Sequence, residues 1–130
     1  MIAYLDTNAV IRLAHGRARA IGTDASRLIR RSDLLISPMV LLEIEYLYEI
    51  GRLLLPAQDI LRKLEHEIGL RLCDLPFEEV ARAALDEKWT RDAFDRVIVA
   101  QAKVKGLAPL ISADERVRNH YPRTVWWDPD

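Results

Sequence analysis

The chain of 130 residues has a single cysteine and no long hydrophobic run. Cys73 lies in an apolar setting and cannot form an internal disulfide, so we expect a small core residue in a reducing cytosol. Glu43, Glu45 and Glu49 interrupt the longest apolar stretch, which stays below the roughly 18 residues that a membrane span needs. The first residues show no secretory signal peptide. We therefore expect a cytoplasmic protein.

The chain also lacks an excess of positive or negative charge. Its 19 Lys and Arg residues nearly balance its 20 Asp and Glu residues, which leaves a net charge of −1. This balance argues against nucleic-acid binding through bulk positive charge. The first 31 residues differ, with two aspartates and six arginines for a net charge of +4 (Arg12, Arg17, Arg19, Arg27, Arg30, Arg31). The last three fall on one face of a predicted helix. They form either a solvated face or a patch that contacts phosphates.

Short apolar segments alternate with helical patterns along the whole chain, without a linker, repeat or low-complexity tract. We predict buried strands at 2–5, 34–36, 70–75 and 109–111, and an edge strand at 125–127. Predicted helices cover 9–14, 23–31, 38–50, 57–68, 77–87 and 93–105. Such alternation indicates a single α/β domain over residues 1–130: a three-layer sandwich in which helices flank a short parallel sheet of four to five strands.

Two of these helices carry recognisable start signals. Ser37 offers a capping hydroxyl, and Pro38 suits the first helical position, so a helix should begin there. Thr23 or Asp24 is predicted to cap the helix that runs to Arg31.

Acidic side chains follow predicted strands, at the sheet edge where α/β proteins bind ligands. Asp6 ends the first strand, and Asp114 follows the strand at 109–111. Glu43 has apolar neighbours on its helix face, where a carboxylate is costly unless it is paired or bound to metal. Structural alternatives stay open: Asp6 and Asp114 as simple helix caps, Glu43 on an exposed or subunit-contact face.

Asp92 and Asp95 precede an apolar helical segment and are three residues apart. This spacing matches a helix cap and the acid that completes a capping box. For Asp92, capping and catalysis remain equally open. Asp95 falls in the first helical turn, where the helix dipole favours its ionised form.

Carboxylates that converge on one cleft repel each other unless a cation lies among them. Mg²⁺ and Mn²⁺ prefer oxygen ligands, and a metal held there can activate water at a phosphodiester. His15, His66 and His120 are scattered, so zinc-ligand spacing is absent. Glycine-rich nucleotide-binding loops are absent as well. The joint occurrence of these acids is what a hard divalent cation requires.

Four segments together resemble the PIN domain, and more narrowly the VapC-type toxins of toxin–antitoxin pairs. They are Tyr-Leu-Asp-Thr-Asn (4–8), Leu-Leu-Glu-Ile (41–44), Arg-Asp-Ala-Phe-Asp-Arg-Val-Ile-Val-Ala-Gln-Ala (91–102) and Leu-Ile-Ser-Ala-Asp-Glu-Arg (110–116). The resemblance spans nearly the whole chain in order, and 91–102 is its most specific part.

The resemblance implies a Mg²⁺- or Mn²⁺-dependent endoribonuclease, the toxin of a type II pair. Its catalytic and metal-binding acids fall on Asp6, Glu43, Asp95 and Asp114. Asp92 belongs to a pattern of one branch and is a further candidate ligand. Thr7 or Asn8 is implied to hydrogen-bond the attacking water or a carboxylate. In this setting Arg27, Arg30 and Arg31 become candidate contacts to RNA phosphates.

The resemblance also implies a homodimer and a small antitoxin protein that blocks the acidic site. The helix at 38–50 is apolar over most of its surface, and we assign part of that surface to the core and the rest to an interface. The apolar residues are Leu41, Leu42, Ile44, Tyr46, Leu47, Tyr48 and Ile50.

The main alternative is a PIN-like module that binds RNA or a protein without cutting. A haloacid-dehalogenase phosphatase is disfavoured, because it needs an aspartate where this chain has Asn8.

Overall fold

The fold was examined in a computed structural model, in which residues 1–16 and 21–128 are described. Arg17 and Arg19, two of the arginines counted above, lie outside these residues.

Five strands form one parallel sheet in the order β3-β2-β1-β4-β5. The strands are β1 (Ile2–Leu5), β2 (Asp33–Ile36), β3 (Arg71–Leu72), β4 (Leu110–Ser112) and β5 (Thr124–Trp126). The described residues also form the helices α1 (Thr7–Ala14), α2 (Thr23–Arg31), α3 (Pro38–Glu49), α4 (Ala57–Ile68), α5 (Phe77–Ala84), α6 (Ala93–Val104) and α7 (Glu115–His120). The predicted α/β architecture is confirmed. Among the helices described, none is long and apolar enough to cross a membrane.

The burial of the central strands accounts for the continuous apolar segments that predicted them. In β1 and β4 nearly every side chain is buried, because helices cover both faces of a parallel sheet. The predicted strand at 70–75 is shorter in the structure. Leu70 belongs to the end of α4, because its amide donates to the Leu64 carbonyl at 3.3 Å. The strand β3 lies at the edge of the sheet, where it pairs with β2.

The helix starts confirm one predicted cap and correct another. Ser37 caps α3 as expected, accepting from the Met39 amide at 3.1 Å. For α2 the N-cap is Gly22, so neither Thr23 nor Asp24 caps this helix. Helix α7 was not predicted, because six residues are too short to show a helical period.

Candidate active site

A cavity of about 150 Å³ opens where β1 and β4 end, at the carboxyl edge of the sheet. Side chains from four separate elements surround it, since α1, α3, α6 and the start of α7 all meet there. It is lined by Asp6, Thr7, Asn8, Ile11, Glu43, Leu47, Asp95 and Asp114. The structure thus places the four acids named from the sequence around a single cavity.

Asp6 is the most buried of the four, with 3% of its surface exposed. Its Oδ1 accepts a hydrogen bond from the Thr7 amide at 2.8 Å, which caps α1. Its Oδ2 accepts from the Ser112 hydroxyl at 2.7 Å and from the Asn8 side-chain amide at 3.4 Å. Asp6 therefore caps a helix and lines the cavity at once, so the two interpretations of this residue are compatible.

Glu43 reaches the cavity from α3. Its Oε1 accepts a 2.5 Å hydrogen bond from the Thr7 hydroxyl. Thr7 is itself buried, so it holds the carboxylate from within the protein. This contact fits the implied role of Thr7 as a residue that hydrogen-bonds a carboxylate.

Asn8 and Ser112 join the ends of β1 and β4. The Asn8 Oδ1 accepts from the Ala113 amide at 2.9 Å. The Ser112 hydroxyl donates to Asp6 and accepts from the Asp114 amide at 3.0 Å. Ser112 is fully buried and links two of the acids, a role that was not predicted from the sequence. Its position at a strand end, two residues before Asp114, was the available signal.

Asp92 and Asp95 separate into two roles. Asp92 is exposed, and its Oδ1 accepts from the amides of Phe94 and Asp95 at 2.8 and 3.2 Å, which caps α6. The reciprocal bond of a capping box is not formed, because the Asp92 amide donates to the Thr90 hydroxyl at 3.1 Å. Asp95 instead lines the cavity, from which Asp92 is absent.

Asp114 combines both functions. Its Oδ1 accepts from the Arg116 amide at 2.8 Å and caps α7, while the residue also lines the cavity.

Burial and mutual repulsion disfavour the ionised form of the clustered acids. Burial, followed by the charges of Asp92, Asp6, Asp114 and Glu43, raises the pKa of Asp95 to about 7. Burial also raises the pKa of Asp6 and of Glu43, against the hydrogen bonds that stabilise their charged forms. Among the described residues, none of the four acids forms a salt bridge. The negative charge of the cavity is therefore uncompensated.

The donor set suits a hard divalent cation. All four side chains offer carboxylate oxygens, the ligands that Mg²⁺ and Mn²⁺ prefer, and a cation would relieve their repulsion. No three acidic, histidine or cysteine side chains of the described residues enclose a metal position by themselves. Mg²⁺ keeps several waters and needs only a partial set of protein ligands, so the four carboxylates of the shared cavity still fit this cation.

The predicted phosphate-contacting arginines lie at a different place. Arg27 and Arg31 line an open cleft of about 770 Å³ between α2 and β5, together with Arg118 of α7. Arg30 is exposed but does not line this cleft. Of the three arginines of the sequence patch, two therefore line this cleft and one lies outside it.

Helix α3 buries one side and exposes another. Val40 and Ile44 are in the core. Leu42, Tyr46 and Ile50 are 59%, 49% and 49% exposed, and they form a stripe at intervals of four residues. This exposed stripe runs beside Glu43 and Leu47, which line the cavity.

Comparisons with known proteins agree with this architecture. The PIN domain matches residues 3–121 of the chain. No curated protein sequence matches the chain significantly.

Three solved structures share the fold. A VapBC2 complex from Rickettsia felis, bound to a promoter DNA fragment, has a TM-score of 0.68 at 18% identity and covers 98% of this chain and 100% of its own. A toxin–antitoxin complex from Klebsiella pneumoniae has a TM-score of 0.64 at 19% identity, covering 95% of each chain. VapBC-1 from nontypeable Haemophilus influenzae has a TM-score of 0.64 at 21% identity, covering 98% of each.

Proposed function

The chain belongs to the PIN-domain family, and we propose that it is a Mg²⁺- or Mn²⁺-dependent endoribonuclease. The observation that carries this proposal is a set of four carboxylates around one small cavity, none of which forms a salt bridge with a described residue. Uncompensated anions at the carboxyl edge of a parallel sheet suit a bound cation and an anionic substrate better than they suit a purely structural role.

Asp6, Glu43, Asp95 and Asp114 would hold the cation. When bound, it supplies positive charge at the phosphodiester and lowers the pKa of a coordinated water. The chain contributes the positions of the ligands: Ser112 orients Asp6, and Thr7 orients Glu43. Asn8 fixes the relative position of the two strand ends.

The double variant Asp6→Asn/Asp95→Asn tests the proposal. Asparagine keeps the shape of each side chain but removes its charge, so the fold should persist while divalent-dependent RNA cleavage falls by about 10³-fold or more, a loss of about 4 kcal/mol. The matched control is Asp33→Asn, an exposed aspartate at the start of β2. All proteins are purified in parallel, and a chelator must stop cleavage that added Mg²⁺ or Mn²⁺ restores.

Two results would contradict the proposal in different ways. Cleavage by the double variant at the wild-type rate, once a contaminating nuclease is excluded, would refute the site assignment. RNA binding by the wild type without any divalent-dependent cleavage would favour the alternative of a binding module.

We further propose that the protein is the toxin of a toxin–antitoxin pair. Support comes from the similar structures, which are of toxin–antitoxin complexes, and from the exposed stripe Leu42, Tyr46 and Ile50 beside the cavity. A small antitoxin seated on this stripe would stand at the cavity mouth. Co-expression with each reading frame that flanks this gene tests the pairing. The antitoxin should co-purify with the wild type and inhibit it, but should not co-purify with Leu42→Asp/Ile50→Asp.

We also propose that the protein is a homodimer in the cytoplasm. Two apolar side chains at the ends of α5 are available for contact between subunits. Phe77 is 62% exposed and Leu85 is 65% exposed. Sedimentation of the purified protein over a range of concentrations checks the dimer, and a monomer at all concentrations would refute it.

A further inference from the structure

We propose that the cleft between α2, α7 and β5, here called the basic cleft, is a second RNA-binding subsite that holds phosphates away from the scissile bond. Its defining residues are Arg27, Arg31, Arg118 and Trp126. This inference rests on the proposed ribonuclease function, which it extends from the site of cleavage to the path of the substrate.

The described residues do not balance the positive charge of the basic cleft. Arg27, Arg31 and Arg118 form no salt bridge with any described residue. Two acids also line the cleft, but Asp128 already accepts a 3.0 Å bond from Arg12, which leaves Asp24 alone. Three cations against one free carboxylate favour an anionic ligand.

Arg118 contacts the aromatic ring of Trp126. Its guanidinium lies over the Trp126 ring, 4.6 Å from the ring centroid. A contact of this kind uses the face of the guanidinium and none of its N–H donors, and Arg118 forms no salt bridge with any described residue. An arginine arranged in this way can bind a phosphate through two parallel hydrogen bonds.

The strand register connects the basic cleft with the acidic cavity. Ser112 pairs with Trp126 across β4 and β5, and the same serine donates to Asp6 at the end of β1. Trp126 is therefore two strands from Asp6, roughly 10 Å at the usual strand spacing. That distance corresponds to about three steps of a stacked nucleic-acid strand. One RNA strand can thus contact both sites.

The shape and lining of the basic cleft favour a nucleic-acid strand over an acidic peptide. At about 770 Å³ it is far larger than the 150 Å³ cavity and has room for a sugar–phosphate backbone. The apolar lining consists of Leu28, Val125 and Trp126, and Arg118 already lies over the Trp126 ring. Every other lining side chain is polar or charged, so the cleft offers little of the desolvated pocket that a peptide anchor fills.

The experiment measures binding of a single-stranded RNA oligomer by fluorescence anisotropy over a range of salt concentrations. Proteins carry Asp95→Asn so that the RNA stays intact. Arg27→Gln/Arg31→Gln/Arg118→Gln should weaken binding by roughly 10- to 100-fold and reduce the salt slope by about 2, since each lost phosphate contact contributes about 0.7 for a single strand. Arg30→Gln is the matched control on the same helix and should leave both quantities unchanged. Circular dichroism verifies that all variants are folded.

A second measurement uses proteins that retain Asp95. The triple variant should cleave a long RNA with a kcat/KM lowered roughly 10- to 100-fold, but should cleave a dinucleotide as well as the wild type, because a dinucleotide does not reach the basic cleft.

Three outcomes would overturn the inference: an unchanged salt slope in the triple variant, an equal loss in Arg30→Gln, or stronger competition by a polyglutamate peptide than by RNA. Absence of cleavage by the wild type would instead refute the ribonuclease proposal, and the anisotropy measurement would still report on the basic cleft.

Discussion

Among the described residues, the acidic cavity and the basic cleft each hold an excess of one charge, negative in the cavity and positive in the cleft, but the two regions hold their charged side chains differently. In the cavity, Asp6 and Glu43 are fixed by hydrogen bonds from buried hydroxyl groups. In the cleft, Arg27, Arg31 and Arg118 are exposed, and only Arg118 is held, by its stacking on Trp126.

This difference indicates a division of labour. The carboxylates of the cavity are fixed and desolvated, so they cannot move to fit ligands of different shape. This suits a cation that requires defined ligand positions. Exposed arginines can follow a flexible polyanion and contribute affinity that salt screens. We therefore expect changes in the cavity to act on cation binding and cleavage, and changes in the cleft to act on substrate binding.

The largest difference between variants of the two regions should be in the stability gained on binding Mg²⁺. At a Mg²⁺ concentration about 100 times its Kd, a ligand that binds only the folded state adds about 2.7 kcal/mol, which raises the Tm of a domain this size by roughly 10 °C. Arg27→Gln/Arg31→Gln should keep this gain, whereas Asp6→Asn/Asp95→Asn should lose it. Differential scanning fluorimetry with and without Mg²⁺ measures both. An equal gain in the acidic variant would place the cation elsewhere.

Removal of the Ser112 hydroxyl should give the next largest effect. Ser112→Ala deletes the bond to Asp6 and the acceptor of the Asp114 amide, so both ligands lose support. Loss of such an outer hydrogen bond typically costs 10- to 100-fold in metal affinity, about 1.4–2.8 kcal/mol. Titration with Mn²⁺ measures the change.

Ser32→Ala is the control for this variant. The Ser32 hydroxyl is buried and has no hydrogen-bond partner among the described residues. Its removal should leave Mn²⁺ affinity as it is. A similar loss of affinity in both serine variants would mean that Ser112 acts through general packing.

The sequence predicted most of the cavity and less of the cleft, for a physical reason. Acids at strand ends can be placed together because parallel strands end at one edge, as with Asp6 and Asp114. Glu43 was identified by the cost of a carboxylate among apolar neighbours. The role of Ser112 depends on its contact with Asp6, 106 residues away in the chain, and no local pattern encodes that distance.

The arginine patch shows the same limit. Arg27, Arg30 and Arg31 share a helix face in sequence, yet only the first and last line the basic cleft. Which arginines of α2 line the cleft depends on how α2 packs against β5, and these two segments are almost 100 residues apart in the chain. Helical spacing alone therefore grouped Arg30 with the other two.

The pH dependence of the metal-free protein distinguishes the regions by a smaller effect. The pKa of Asp95 is raised from 3.8 to about 7. Between about pH 4 and 7 the folded protein therefore holds a proton that the unfolded chain has released, so stability falls as the pH rises through this window. Asp95→Asn removes that cost and should raise the free energy of unfolding at pH 8 by about 1 kcal/mol, with little change at pH 4.

Urea denaturation in the presence of a chelator measures this difference at both pH values. Arg27→Gln serves as the comparison from the basic cleft and should show no such pH-dependent gain. A stability that rises between pH 4 and 8 in the wild type, unaffected by Asp95→Asn, would contradict the assigned repulsion in the cavity.

The smallest effect concerns Asp92, at the border of the acidic region. Its carboxylate caps α6 and does not line the cavity, although its charge adds to the raised pKa of Asp95. Asparagine caps a helix as well as aspartate does, so Asp92→Asn should change stability by less than about 0.5 kcal/mol and retain cleavage. Asp92→Ala should cost about 1 kcal/mol through loss of the cap. Thermal unfolding and kcat/KM are measured for both variants. If Asp92→Asn is as stable as the wild type but as inactive as Asp95→Asn, then the cap is also part of the cation site, and the acidic region has five members.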